Sequence, residues 1–228
     1  MLFNVLDKGY LKLVNSMGTD VDVVNAARAS FEKEVKELSL ADEKLIDYLV
    51  RNKHDSVLRH CAMTFEVYAP LMVCRQWWKH VVASSHLDDQ VGWNETSRRY
   101  VSENEQFYLP TVWRSKPDNA KQGSGGPVDD NLGGNYTKLL EAHQAEGLRL
   151  YRQAMDDGIA PEQARVFLPA YGLYVRWRWT TSLNAVMHFL TLRKHEHAQA
   201  EITEYSNAVE ACVQSLYPKT YEAWLQHR

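Results

Sequence analysis

The residues best suited to chemistry lie between positions 75 and 100. Arg75, Gln76, Lys79 and His80 surround Trp77 and Trp78 directly after an apolar run at residues 69–74, and a polar interval then leads to Asn94, Glu95, Ser97, Arg98, Arg99 and Tyr100. Charge set beside a buried apolar run is costly unless it is paired or meets a ligand of opposite sign. Cations, amides and hydroxyls gathered in this way predict a site for an anion that carries a flat ring. Helical spacing places Gln76, Lys79 and His80 within one turn, where they can converge on a ligand.

The flanking sequence supplies the elements that hold this segment. Alternation predicts strands at residues 3–7 and 11–14, with Lys8 and Gly9 as the turn between them. Thr19 or Asp20 caps a helix running to about Lys33, and Ser39 with Asp42 forms a capping box ahead of a second helix ending near Asn52. A short helical piece to His60, a strand over 62–68 and a Pro70-led helix carrying residues 74–80 follow. Residues 115–135 are rich in Gly, Asp, Asn and Ser and lack an apolar period, which predicts a mobile loop. No Gly-Lys-Ser or Gly-Lys-Thr follows its glycines, so it is not a nucleotide P-loop. Beyond it come helices over 136–155 and from Pro161, a strand over 174–180, helices over 183–192 and 198–216, and a last one opened by Pro218. Strands and helices are interspersed without βαβ units or a dinucleotide glycine fingerprint. The expected fold is therefore α+β, an antiparallel or mixed sheet flanked by helices.

At 228 residues the chain suits one well-buried domain spanning 1–228. A net charge of -3 argues against a general polyanion binder. Trp77, Trp78, Trp93, Trp177 and Trp179 read as core and interface aromatics rather than a stacking track for a nucleic acid strand. The first residues lack a basic region followed by a long apolar stretch, and no run approaches a membrane span, which predicts a cytoplasmic protein without membrane partners. The three cysteines, Cys61, Cys74 and Cys212, are scattered in apolar surroundings and read as reduced, buried thiols. The spacings of His54, His60, Cys61, Cys74 and His80 fit no metal-ligand pattern, so no metal site is expected.

Residues 75–100 resemble the signature of the flavin-dependent thymidylate synthases: Arg-His-Arg, two residues, Ser, one residue, Asn-Glu, one residue, Ser, one residue, Arg-Tyr. The resemblance extends to residues 27–31, 45–49 and 64–67 and, in the second half, to residues 164–169, 187–190, 192–193 and 197–202, in the family's order and near its spacing. The second half of the signature is intact, from Asn94 to Tyr100. The first half departs from it: Lys79 replaces the first arginine, Val81 replaces the second, and residues 85–93 stand where the family has one residue. Lysine is a point charge without the planar fork that grips an anion bidentately.

The resemblance implies synthesis of dTMP from dUMP, with methylenetetrahydrofolate as carbon donor and hydride from FAD that NADPH has reduced. It also implies a homotetramer whose sites are shared between subunits. Arg193 matches the arginine that contacts the uracil ring and helps ionise N3, making it the candidate catalytic residue. Gln76, Lys79, Glu95, Ser97, Arg98, Arg99 and Arg165 match positions around the nucleotide. Ser30, Ser56, Lys79, His80, Val81, Asn94, Glu95, Ser182, Asn184 and His188 match positions around the flavin, whose ring edge takes both donors and acceptors. Two alternatives stay open. The acids Asp88 and Asp89 of the inserted segment would favour a different 5-modified pyrimidine, such as a hydroxymethylated one. Loss of flavin contacts at Lys79 and Val81 would leave a non-catalytic nucleotide-binding protein.

Overall fold

The first strand, β1 (Leu2–Val5), turns back into β2 (Gly9–Met17). The turn lies at residues 6–8 rather than at Lys8 and Gly9, and Gly9 opens β2, where a side chain would collide with the Tyr205 hydroxyl and with the Tyr68 and Val5 carbonyls. Next come α1 (Asp20–Arg28), α2 (Leu40–Arg51), β3 (Ala62–Pro70), the short α3 (Leu71–Trp77) and β4 (Gly92–Glu95). The chain continues through α4 (Asp130–Asp156), α5 (Pro161–Ala164), β5 (Tyr174–Ser182), α6 (Leu183–Arg193), α7 (Ala200–Leu216) and α8 (Pro218–His227). This is a computed structural model, and it describes residues 1–78, 80, 92–97, 104–117 and 123–228. Lys79, Val81, Arg98, Arg99 and most of the inserted segment lie outside the described residues.

The five strands form one antiparallel sheet in the order β1-β2-β3-β5-β4, which is the expected α+β architecture. Its inner face carries Leu11, Met63, Phe65, Val67, Val175, Trp177 and Trp179, all buried. Trp77 is wholly buried against them, edge-on to Trp177 and Trp179 and stacked on Phe189 with ring centroids 4.5 Å apart. These tryptophans are core, and Trp93 stacks on Trp177 at the sheet edge. Alternation along β5 turns Arg176 and Arg178 outward, where Arg178 meets Glu66 of β3 at 3.2 Å. Among the described residues no helix is long and apolar enough to cross a membrane.

Several boundaries differ from expectation, each for a local reason. Thr19 is the N-cap of α1, forming a capping box with Asp22, but the helix stops at Arg28 and a 3-10 turn over residues 29–31 follows. Glu32 sits there in the left-handed region at φ 53°, which ends the helical path. The Ser39 and Asp42 capping box holds as read. Pro70 is the N-cap of α3 rather than its first residue, and the helix ends at Trp77, so His80 lies beyond it with its N–H on the Trp77 carbonyl. Residues 130–135 are not loop: Asp129 accepts hydrogen bonds from the N–H groups of Asn131 and Leu132 and starts α4 six residues early. Strand β4 was not expected at all.

The two ends of the fold are tied by one carboxylate. Asp20, only 4% exposed, accepts hydrogen bonds from the N–H groups of Lys219 and Thr220 and from the Thr220 hydroxyl, at 2.6 to 3.0 Å. It thereby satisfies the free N–H groups at the start of α8 from across the chain.

Candidate functional site

Helix α6 is buried along nearly its whole length, and the Ser182 hydroxyl caps it by accepting from the Ala185 N–H at 3.2 Å. Arg193 is its last residue. The Arg193 Nε donates to His80 Nε2 at 2.9 Å, and a terminal guanidinium nitrogen donates to the Gln76 carbonyl at 3.3 Å. The Arg193 carbonyl in turn accepts from the Thr203 hydroxyl at 3.0 Å, fixing the helix end against α7. A guanidinium held by two acceptors at a helix terminus is pre-oriented toward whatever anionic group approaches its remaining N–H groups.

His80 has to be neutral at Nε2 to accept that bond. Burial, helped by the charge of Arg193 and by His188, lowers its pKa to about 4. Its ring sits edge-on to Phe189, with centroids 5.0 Å apart, and 6.2 Å from the ring of His188. His80 thus joins the Arg193 group to the part of α6 that carries His188 and Asn184.

Gln76 extends the arrangement in the other direction. Its side-chain N–H donates to Gln199, whose own amide nitrogen donates to Glu201 at 2.8 Å. Glu201 is 4% exposed and is gripped by Arg114 through both carboxylate oxygens, at 2.7 and 2.9 Å, and by the Tyr108 hydroxyl at 3.1 Å.

Pairing with β5 places Glu95 opposite Trp177 and Asn94 opposite Arg178. The two side chains therefore project from opposite faces of the sheet. Glu95 faces α3, where it accepts from the Cys74 thiol at 3.4 Å; Asn94 lies on the outer face with Arg178. The Thr96 N–H donates to the Arg176 carbonyl at 2.8 Å, so Ser97 leaves the sheet from an anchored position.

Ser30 and Ser56 come together although 26 positions separate them, because each sits on a 3-10 turn beside the same groove. The groove has a volume of about 890 Å³ and is also lined by Arg28, Tyr48, Lys53, His54 and Arg59. A second cavity of about 340 Å³ is lined by Asn184 and His188 and shares Lys53 and Asp55 with the first. Arg28 is partly neutralised by an ion pair with Asp42, whereas Lys53 and Arg59 make no ion pair with a described residue.

The structure brings Gln76, His80 and Arg193 together, Glu95 onto α3 at Cys74, Ser30 with Ser56, and Asn184 with His188. Two expected residues stand apart. Arg165 is exposed on the 3-10 turn over residues 165–167, packed on α4, with its Nε on the Glu162 carbonyl at 3.1 Å. Ser182 spends its hydroxyl as a helix cap. Sequence reasoning missed Tyr108, Arg114, Gln199 and Glu201 around Gln76, and Lys53 and Arg59 in the groove. A glutamine and a glutamate at the opening of an amphipathic helix are the one available signal, and it is shared by many solvated helix starts.

A family model described as thymidylate synthase complementing protein matches residues 12–219. Flavin-dependent thymidylate synthase of Thermosipho africanus is 34% identical over 226 residues, covering 99% of this chain and 95% of its own. That of Thermus thermophilus is 37% identical over 223 residues, covering 98% and 78%. Among solved structures, the UMP/dUMP methylase PolB from Streptomyces cacaoi bound with 5-Br dUMP superposes with a TM-score of 0.83 at 30% identity, covering 98% of this chain and 97% of that one. The full-length match, the shared fold and the arginine-centred site lead to one conclusion: this chain belongs to the flavin-dependent thymidylate synthase family.

Proposed function

We propose that this chain makes dTMP from dUMP, taking its one-carbon group from methylenetetrahydrofolate and using FAD that NADPH reduces. The observation that carries the proposal is the Arg193 guanidinium, fixed at the end of α6 by His80 Nε2 and the Gln76 carbonyl. Facing a uracil ring, it stabilises negative charge as N3 ionises, which raises electron density at C5. Gln76, Glu95, Ser97 and Arg193 hold the nucleotide, joined by Lys79, Arg98 and Arg99 from the undescribed stretches.

The groove residues fit FAD. Lys53 and Arg59, which make no ion pair with a described residue, offer their charge to a pyrophosphate, and Ser30, Ser56 and His54 offer hydroxyl and imidazole partners. Asn184, His188 and His80 suit the ring edge, and the family resemblance adds Val81 and Asn94, while the part the resemblance gives Ser182 is taken up by its capping of α6. When bound, the flavin supplies the hydride that completes a methyl group, and the protein binds, orients and excludes water. Arg165 belongs with the nucleotide phosphate of a neighbouring subunit in a homotetramer, which accounts for its distance from Arg193 within one chain.

The test begins with an absorption spectrum of the purified protein, then follows dUMP-dependent oxidation of reduced flavin and the mass of the product. A flavin spectrum and a product one methyl heavier than dUMP are expected. Colourless protein that FAD does not reconstitute overturns the proposal, and a hydroxymethyl increment replaces its chemistry. The likeness to a UMP/dUMP methylase favours one second reading, that UMP is also accepted. Turnover with UMP in the same assay decides it.

A further inference from the structure

Glu201 is a buried carboxylate beside the site to which the proposed function gives no role. It lies on the first turn of α7, almost fully buried, and no group in the proposed reaction requires it. Burying a carboxylate is costly unless every lone pair finds a donor. Here the donors are one terminal guanidinium nitrogen of Arg114, shared between both carboxylate oxygens, the Tyr108 hydroxyl and the Gln199 amide. Burial alone would push the Glu201 carboxyl up, but the bonds from Arg114 and Gln199 outweigh it and hold it below the usual range, so the group is ionised.

An ionised carboxylate accepts and never donates. The Gln199 amide must therefore turn its nitrogen toward Glu201 and its carbonyl oxygen away from it. That oxygen meets the Gln76 side chain, so Gln76 must present its nitrogen there. The same nitrogen lies 3.4 Å from the Met72 carbonyl of its own helix, which holds the rotamer from the other side. One buried charge thereby sets the facing of two successive amides, and the second stands beside Arg193.

We propose that Glu201 is a positioning residue that acts through Gln199 to hold the Gln76 amide in the single orientation that receives the nucleotide. This deepens the proposed function and rests on Gln76 as a nucleotide contact. Left to rotate, an amide presents the wrong atom in part of its population, and the ligand bears the cost of ordering it.

A double-mutant cycle on the full chain, read as dUMP binding by calorimetry, tests the relay. Glu201→Gln is expected to weaken dUMP binding about tenfold, the loss of roughly one well-placed hydrogen bond. In a Gln76→Leu background the same change is expected to cost nothing further, because its route to the nucleotide is gone. A purely structural role would instead give additive losses, and that result, or unchanged binding by Glu201→Gln, overturns the proposal. If Glu201→Gln does not fold, Gln199→Met takes its place, leaving the Arg114 to Glu201 pair intact, with the same non-additivity expected. Parent protein that binds no dUMP overturns the nucleotide assignment itself, whereas a parent that binds with additive variants overturns only the relay.

Discussion

The two halves of the site are built on opposite plans. Around Arg193 the side chains are already committed to one another: Arg193 to His80, Gln76 to Gln199, Gln199 to Glu201, Glu201 to Arg114. In the Ser30 and Ser56 groove, Lys53, Arg59 and both hydroxyls make no side-chain hydrogen bond or ion pair with a described residue. The first arrangement is ordered before a ligand arrives and suits discrimination of one small ring. The second leaves donors to be satisfied by the ligand and suits a large, multiply charged cofactor.

The comparison is most sharply tested at Arg193. Arg193→Ala is expected to lower kcat/KM for dUMP by about a hundred- to a thousandfold while flavin binding, followed by absorbance, persists. Equal loss of flavin would show that the two halves are one unit. Next in size, Lys53→Ala combined with Arg59→Ala is expected to weaken FAD binding by about tenfold or more, since charged hydrogen bonds contribute roughly 1.5 to 3 kcal/mol each. Retained FAD affinity would break the assignment of the groove.

A smaller effect concerns pH. The pKa of His80 is about 4 in the folded chain against an ordinary 6.5, so as pH falls the unfolded chain takes up the proton first. The contribution of neutral His80 is complete above pH 6.5 and is lost as pH drops from there toward 4. His80→Asn, which keeps an acceptor that does not titrate, is expected to flatten that part of the Tm against pH curve. An unchanged slope would assign the pH dependence to other groups. Smallest of all, Ser39→Ala removes the cap of α2, one wall of the groove, and is expected to lower stability by about 1 kcal/mol without altering dUMP binding.

Legibility in the sequence followed how local each signal was. The Thr19 cap, the capping box at Ser39 and the aromatic alternation of β5 are written within a few residues, and the structure has them. The start of α4 was hidden because Gly133 and Gly134 look like loop, while the Asp129 cap that offsets them is one residue among many acids. Strand β4 was hidden because it owes its existence to pairing with β5, more than eighty positions later. With that strand unseen, the separation of Asn94 and Glu95 onto opposite faces was also unseen. The Arg193 site was legible only through family resemblance, since an arginine ending a helix is ordinarily a dipole partner. Glu201 carried only the weak signal of a glutamate at a helix start, because two of its partners, Tyr108 and Arg114, come from segments some ninety positions away.

The bond set of Asp20 bears on how the chain reaches its fold during synthesis. The three donors lie 199 and 200 positions from that carboxylate, and before α8 packs it keeps its water instead. A nascent chain can pair β1, β2 and β3 early, yet α1 cannot settle in its finished seat before α8 arrives. Closure of the fold thus waits on α8, and a variant lacking α8 is expected to leave α1 and α2, on which that helix packs, open to limited proteolysis.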